Sequence, residues 1–396
     1  MSDISFFNKL VLVCHVSANK SIMFQNLKVL ELASVLAGPS VGQFFAELGA
    51  EVIKIENLNT GGDVTRTWRG SREQTDDRSA YFCSVNWGKK SVALDLTSQE
   101  GKAKVQKLAS KSDLIIASYK PGDAEKLGVS YQQLKANNEK LIYGQITGYG
   151  SDNDRVGYDA VIQAESGFMD LNGEADGNPT KMPVALIDVL AGHQLKEGLL
   201  LALLKKERTG VGSFVAVSLI QSAIASLANQ ATNWLVAHQL PARQGSAHPT
   251  IAPYGDSFLT KDNKRILLAV GNDKQFINLV TILSLQTFDI QKFSTNTMRV
   301  SNRKELNTLL ADAIGKISSD EFLQKIHQHK IPGGVIQNMK EVFEMDAAKD
   351  LLIHEESLTG VRTYVGKHSD SSVNIDLLPP PHFGEHTEEV IRYLAI

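Results

Sequence analysis

Apolar residues in this chain fall alternately into short, mostly apolar runs and into stripes at helical spacing. Leu27–Ala33 is a run of the first kind and predicts a buried strand. After the turn-forming Ala37-Gly38-Pro39, apolar residues from Val41 to Leu48 recur at the spacing of one helix face, and Gly49 is placed to end that helix. Val52–Ile55 is a second run, so the segment reads as strand, helix, strand with a parallel pair. The next unit predicts a strand at Ser91–Leu96, a capping box of Thr97 with Glu100, a helix to about Ser112 and a strand at Asp113–Tyr119. Lys120-Pro121-Gly122 breaks the chain. Short helices ending near Gly128 and Asn138, and a strand at Leu141–Ile146, lead to the loop Thr147–Gly150. This alternation predicts a doubly wound, mainly parallel α/β sheet, whose ligands bind beyond the carboxyl ends of the strands. Those ends are Ala33–Ala37, Ile55–Asn57, Tyr119–Gly122 and Thr147–Gly150.

Further along, Val184–Ile187 is a short apolar run that stops at Asp188, and a long helix continues to about Arg208. Its stripe of Leu195, Leu199, Leu200, Leu203 and Leu204 is core. A strand at Ser213–Ser218 and a long helix at Ile220–Leu240, carrying Trp234, follow; Pro241 ends that helix. From Arg243 the texture changes to the loop His248–Tyr254, hairpin strands at Asp256–Leu259 and Arg265–Val270, and helices at Lys274–Leu283 and Arg303–Ile314. The expected division is an N-terminal extension at 1–22, the first part of a large α/β domain at 23–234, a small α+β domain at 235–335, and a return to the large domain at 336–396. Within that return, Pro379-Pro380-Pro381 precedes Gly384-Glu385-His386-Thr387, which caps a last helix.

Composition narrows the classes. The 396 residues exceed the usual single core, which supports two domains. A net charge of −3 with no polybasic block disfavours nucleic acid as a partner. Cys14 and Cys83 lie far apart with no metal-type spacing, so neither a disulfide framework nor a metal site is expected, and a reducing cytoplasm fits. The run Leu10–Val16 is too short to span a bilayer, so no membrane partner is expected. The first loop holds Gly38 and Pro39 instead of G-x-G-x-x-G, so a nicotinamide-cofactor fingerprint is missing. Asp188 stands where an acid ordinarily caps free backbone N–H groups and complements the helix dipole. The competing reading makes it a nucleophile.

Several segments together resemble the class III CoA-transferase family, which includes formyl-CoA transferase, carnitine CoA-transferase and the α-methylacyl-CoA racemases. The carriers are Ala37-Gly38-Pro39, Leu48–Glu56, Gly62-Asp63 with Arg66, Asn86 with Lys89–Ser91, Gly157-Tyr158-Asp159 with Gln163, Asp188, Lys206–Gly212, His248-Pro249 and Pro380-Pro381 through Thr387. The resemblance covers residues 24–396. It implies a Rossmann-like large domain formed by both chain ends, a small domain from the middle, and a homodimer whose chains are threaded through each other like linked rings, against the usual unknotted assembly. It places Asp188 on the family's catalytic aspartate, held oriented and ionised at a helix N-terminus. Transfer of CoA without hydrolysis needs a nucleophile that carries the acyl group as an anhydride and then CoA as a thioester, which a carboxylate can do.

Carried over by position, CoA contacts fall on Leu36, Ala37, Asn57, Leu94, Asp95, Leu96, Thr97, Ser118, Tyr119, Lys120, Lys126, Thr147, Gly148, Tyr149 and Gly150, nearly all at the strand ends named above. Lys126 reads equally as a solvated helix lysine. Coenzyme A is thus a substrate, as an acyl-CoA beside a small carboxylic acid, and no tightly bound cofactor is implied. Leu36 replaces the Gln of the formyl-CoA branch, and Tyr158 replaces the His of the racemase branch, which disfavours oxalate, formate and racemisation. The pattern at His248–Tyr254 is most similar to the branch that uses dicarboxylates such as succinate and glutarate, with Arg243 or His248 as the cation for the second carboxylate. An acyl-CoA racemase and a non-catalytic acyl-CoA-binding protein are the alternatives.

Overall fold

A computed structural model of the chain describes residues 23–285, 289–355, 357–366 and 375–395. The expected extension at 1–22 lies outside them. Six parallel strands make the main sheet: β1 (Lys28–Leu32), β2 (Glu51–Asn57), β3 (Lys89–Leu94), β4 (Leu114–Ala117), β5 (Ile142–Thr147) and β6 (Ser213–Ser218). Their order is β3-β2-β1-β4-β5-β6, so the winding reverses between β1 and β4, where Val29 stands opposite both Val52 and Leu114. The central strands are mostly apolar because helices cover both faces. One apolar layer, with Val29, Phe45, Leu114 and Ile142, is closed by the helices Ala37–Glu47 and Leu186–Thr209. The other, with Leu30, Val92, Ile115 and Tyr143, is closed by Gln99–Ser110 and the last helix, Thr387–Ala395. Gly144 fits the first of these packings closely: a Cβ there would lie 3.0 Å from methyl carbons of Leu195 and Leu199, which would have to shift.

The end of the chain returns to this sheet. His386 N–H donates to the Ser91 carbonyl at 2.9 Å, Thr387 Oγ1 accepts from Ala93 N–H at 2.9 Å, and Val390 and Leu394 enter the second apolar layer. The middle of the chain forms an antiparallel sheet of β7 (Tyr254–Leu259), β8 (Arg265–Ala269) and β9 (Gly333–Val335). It has its own core around Phe258, Leu268, Phe276, Leu310 and Phe322. A further hairpin pairs β10 (Leu352–Glu355) with β11 (Leu358–Val361).

Two local expectations are corrected. The helix at Gln99–Ser110 is capped by Ser98, whose side chain accepts from Gly101 N–H, and not by Thr97. The Thr97 hydroxyl is occupied by Asp95 at 2.6 Å. The single long helix expected at Ile220–Leu240 is two helices, Leu219–Ala225 and Ala228–Leu235, separated by a left-handed residue, Ala228 with φ 47°. Ser222 and Ser226 each turn a hydroxyl onto the carbonyl four residues back, which competes with the helical ladder where it breaks.

Candidate active site

The reversal of winding leaves a crevice beyond the ends of β1 and β4, the position where such sheets bind ligands. Two adjoining cavities fill it. One, of about 230 Å³, is walled by Val35, Ala37, Gly38, Thr147, Gly148 and Asp188 among others; the second, of about 330 Å³, lies over Lys54, Glu56, Asn57 and Asp63. They share Ser34, Val64, Ser118 and Tyr119. Gly148 and Gly157 touch through their backbones in the first wall, and a Cβ at Gly148 would lie 2.8 Å from the Gly157 Cα, so the bend after β5 closes only with glycine there.

Asp188 is the third residue of its helix and 7 % exposed. The capping expected of it is performed by Asp159, whose Oδ1 accepts from Ile187 N–H at 2.7 Å and from Asp188 N–H at 3.4 Å. Gln163 holds the other Asp159 oxygen at 2.6 Å. The helix-end N–H groups are therefore taken by Asp159 and not by Asp188, and the expectation that they keep Asp188 ionised is corrected. Burial, and after it the negative charge of Asp159, push the Asp188 carboxyl up to about 7. The same chemistry reaches Tyr81, whose phenol is pushed up to about 12 by burial and then by Asp188, Asp159 and Asp63.

Beneath the crevice lies a buried lattice of ion pairs. Lys54 Nζ sits 2.9 Å from both Glu31 and Asp63, Lys89 Nζ is 2.8 Å from Glu31, and Arg66 holds Glu56 with two nitrogens at 2.9 and 2.7 Å. These charges balance, as burial demands. The sequence carried one signal of them: Lys54 and Glu31 interrupt runs that are otherwise apolar.

The residues carried over for CoA divide by position. Ala37, Ser118, Tyr119, Lys120, Thr147 and Gly148 share a cavity wall with Asp188, and Asn57, Leu96 and Thr97 line the adjoining space. Leu36, Leu94, Asp95, Tyr149 and Gly150 flank these walls; Leu36 precedes the helix at Ala37, and Gly150 N–H donates to Thr147 Oγ1 at 3.0 Å. Lys126 is solvent-exposed and paired with Asp123 at 2.9 Å, outside both linings. Arg243 bonds the carbonyl and carboxylate of Asp170, and the His248 ring packs edge-on against Tyr254; neither lines the Asp188 cavity. The cations in that wall are Lys120 and Arg155, and Arg155 was missed from sequence. Its guanidinium pairs with Glu165 and lies 4.3 Å from the centre of the Tyr149 ring.

Asp76, Asp77 and His382 bring ligand atoms within 4.8 Å of one another. Arg78 and Arg66 already pair with the two acids, so the group clasps the C-terminal segment to the loop before β3. No helix among the described residues is long and apolar enough to cross a membrane.

Fold and site together define a doubly wound α/β protein with a buried, hard-to-ionise carboxylate at the point where the sheet reverses. Residues 24–387 match the model of CoA-transferase family III, and the chain belongs to that family. It is 35 % identical over 396 residues to the succinate–glutarate CoA-transferase of Agrobacterium fabrum, covering 95 % of this chain and 96 % of the relative. It is also 35 % identical over 386 residues to the human succinyl-CoA:glutarate CoA-transferase, covering 93 % of this chain and 86 % of the relative. The crystal structure of a CAIB/BAIF family protein from Brucella suis superposes with a TM-score of 0.84 at 37 % identity, covering 93 % of this chain and 98 % of the other.

Proposed function

We propose that this protein moves CoA from an acyl-CoA to a carboxylic acid with Asp188 as the nucleophile. The observation that carries the reading is a carboxyl group raised to about 7 by burial, in the cavity at the sheet's reversal. A carboxylate costs more in that setting than its neutral acyl derivatives. Attack on the donor thioester converts the charge of Asp188 into a neutral mixed anhydride and releases CoA thiolate; return of the thiolate gives aspartyl-CoA and frees the donor's acid. The acceptor carboxylate then attacks that thioester, and the resulting anhydride is opened by CoA thiolate to give the new acyl-CoA and Asp188. Removing the charge from a poorly solvated site offsets part of the energy needed to form each reactive adduct.

The dicarboxylate reading rests on the two relatives that are named for succinate and glutarate, and on the cations in the wall. A second carboxylate held in this cavity must be paired, and Lys120 and Arg155 are the cations that line it. The interlocked dimer belongs to the same proposal.

The test is CoA transfer from succinyl-CoA to a panel of acids by wild type and Asp188→Ala. Wild type should transfer, and the variant should lose activity while still binding CoA. Retention of transfer within about tenfold, roughly 1.4 kcal/mol of barrier, would reject the role. Hydroxylamine should capture the aspartyl thioester in wild type loaded with acyl-CoA and nothing in the variant.

A further inference from the structure

Among the described residues, six other than glycine have positive φ, and Val35, at 73°, is the β-branched one. A β-branched side chain in that region is an outlier that surrounding contacts must hold. The contacts are specific. Val35 N–H points at the Asp63 carboxylate, 3.3 Å from each oxygen, and the preceding Ser34 N–H donates to Ser118 Oγ at 3.2 Å. Asp63 is 4 % exposed, and its Oδ2 lies 2.9 Å from the wholly buried ammonium of Lys54. Lys54 is itself fixed by Glu31 at 2.9 Å and by the Ala33 carbonyl at 2.7 Å, directly below the same turn.

The turn lies between β1 and the helix Ala37–Glu47, whose first residues, Ala37 and Gly38, wall the cavity of Asp188 together with Val35. No side chain caps that helix. Its direction of entry is therefore set by the turn. We propose that Asp63, oriented by Lys54, is a positioning residue that locks Val35 in its left-handed conformation and so places the backbone wall facing Asp188.

The proposal rests on the CoA-transferase reading and is tested separately from it. Wild-type transfer and its loss in Asp188→Ala decide the reading. Asp63→Leu is the direct probe of the inference, because it removes both oxygens that accept from Val35 N–H, but it strands the Lys54 charge in the interior, which can cost the fold. The paired change Lys54→Met with Asp63→Leu removes one charge of each sign and keeps the lattice balanced. The loss it causes is measured twice, in the wild-type background and in the Val35→Gly background, because glycine adopts positive φ without a holder. With Val35 present, kcat should fall about thirtyfold while KM for the acyl-CoA changes by less than about threefold; with Val35→Gly the same pair of changes should cost less than about threefold in kcat. Melting temperatures of all four proteins separate this from loss of fold, since simple destabilisation would not depend on residue 35. Equal losses in the two backgrounds, or no loss with Val35 present, would overturn the proposal.

Discussion

At the residue scale the central fact is that Asp188 is protonated more readily in the folded protein than in the unfolded chain. Between the ordinary aspartate pKa of about 4 and the folded value near 7, the native state holds a proton that the unfolded state has released, so stability falls as pH rises through this window. Below it both states are protonated and the contribution vanishes. Asp188→Asn, which cannot ionise, should therefore leave stability nearly unchanged at about pH 4 and raise it by on the order of 3 kcal/mol above about pH 7. Urea unfolding of both proteins at the two pH values measures this, and an unchanged difference across the window would contradict the assigned environment. The position of Asp188 was legible in the sequence, because an acid at the junction of an apolar run and a helix stands out. Its environment was not. That depends first on burial and then on Asp159, 29 residues earlier and joined to it only in space.

At the element scale, sequence patterns located the sheet well because buried parallel strands leave mostly apolar runs, and most of the residues carried over for CoA lie at their ends. Patterns failed where side chains compete with the backbone. Thr97 is claimed by Asp95, and the serines at 222 and 226 turn back on the helix that a simple stripe would continue. Loops were the least legible, and Arg155 is the example: it stands in the irregular stretch after β5, yet it is a cation in the Asp188 wall. Arg155→Ala should lower transfer to succinate or glutarate by at least about tenfold while changing transfer to a monocarboxylate by less than about threefold, as loss of a charge pair predicts. Competition assays with paired acceptors read the ratio directly. An unchanged ratio would remove this role from Arg155.

At the scale of the whole molecule, one strip of sequence, from Ile224 to Leu240, carries several exposed large apolar side chains. Ile224, Trp234, Leu235, Val236 and Leu240 are all more than half exposed, on and beyond the two helices that follow β6. A strip of this kind asks for a partner surface. If the partner is a second copy threaded through the first, subunits cannot exchange without unfolding. Tagged and untagged protein mixed under native conditions should yield no mixed dimers over days, and mixed dimers should appear after joint denaturation and refolding. Rapid native exchange would remove the linked arrangement and leave the Asp188 chemistry untouched. Sequence reading could not test such an assembly, since the strip is built from residues that a single-chain pattern assigns to ordinary helix faces.

The return of residues 384–395 to β3 has a consequence for how the protein is made. β3 is an outer strand of the main sheet, and the hydrogen bonds from His386 N–H to the Ser91 carbonyl and from Ala93 N–H to Thr387 Oγ1 occupy the side that would otherwise face water. During synthesis that side stays open from the time β3 emerges until residues 384–395 leave the ribosome. An open strand edge recruits other strands. The final helix thus acts as a seal whose arrival ends a period of vulnerability, and a chain cut before Gly384 never reaches that point. Such a truncation should express mainly as insoluble aggregate, and co-expression of the missing segment as a separate peptide should recover soluble protein; a soluble, monodisperse truncation would show that the edge is guarded by something else.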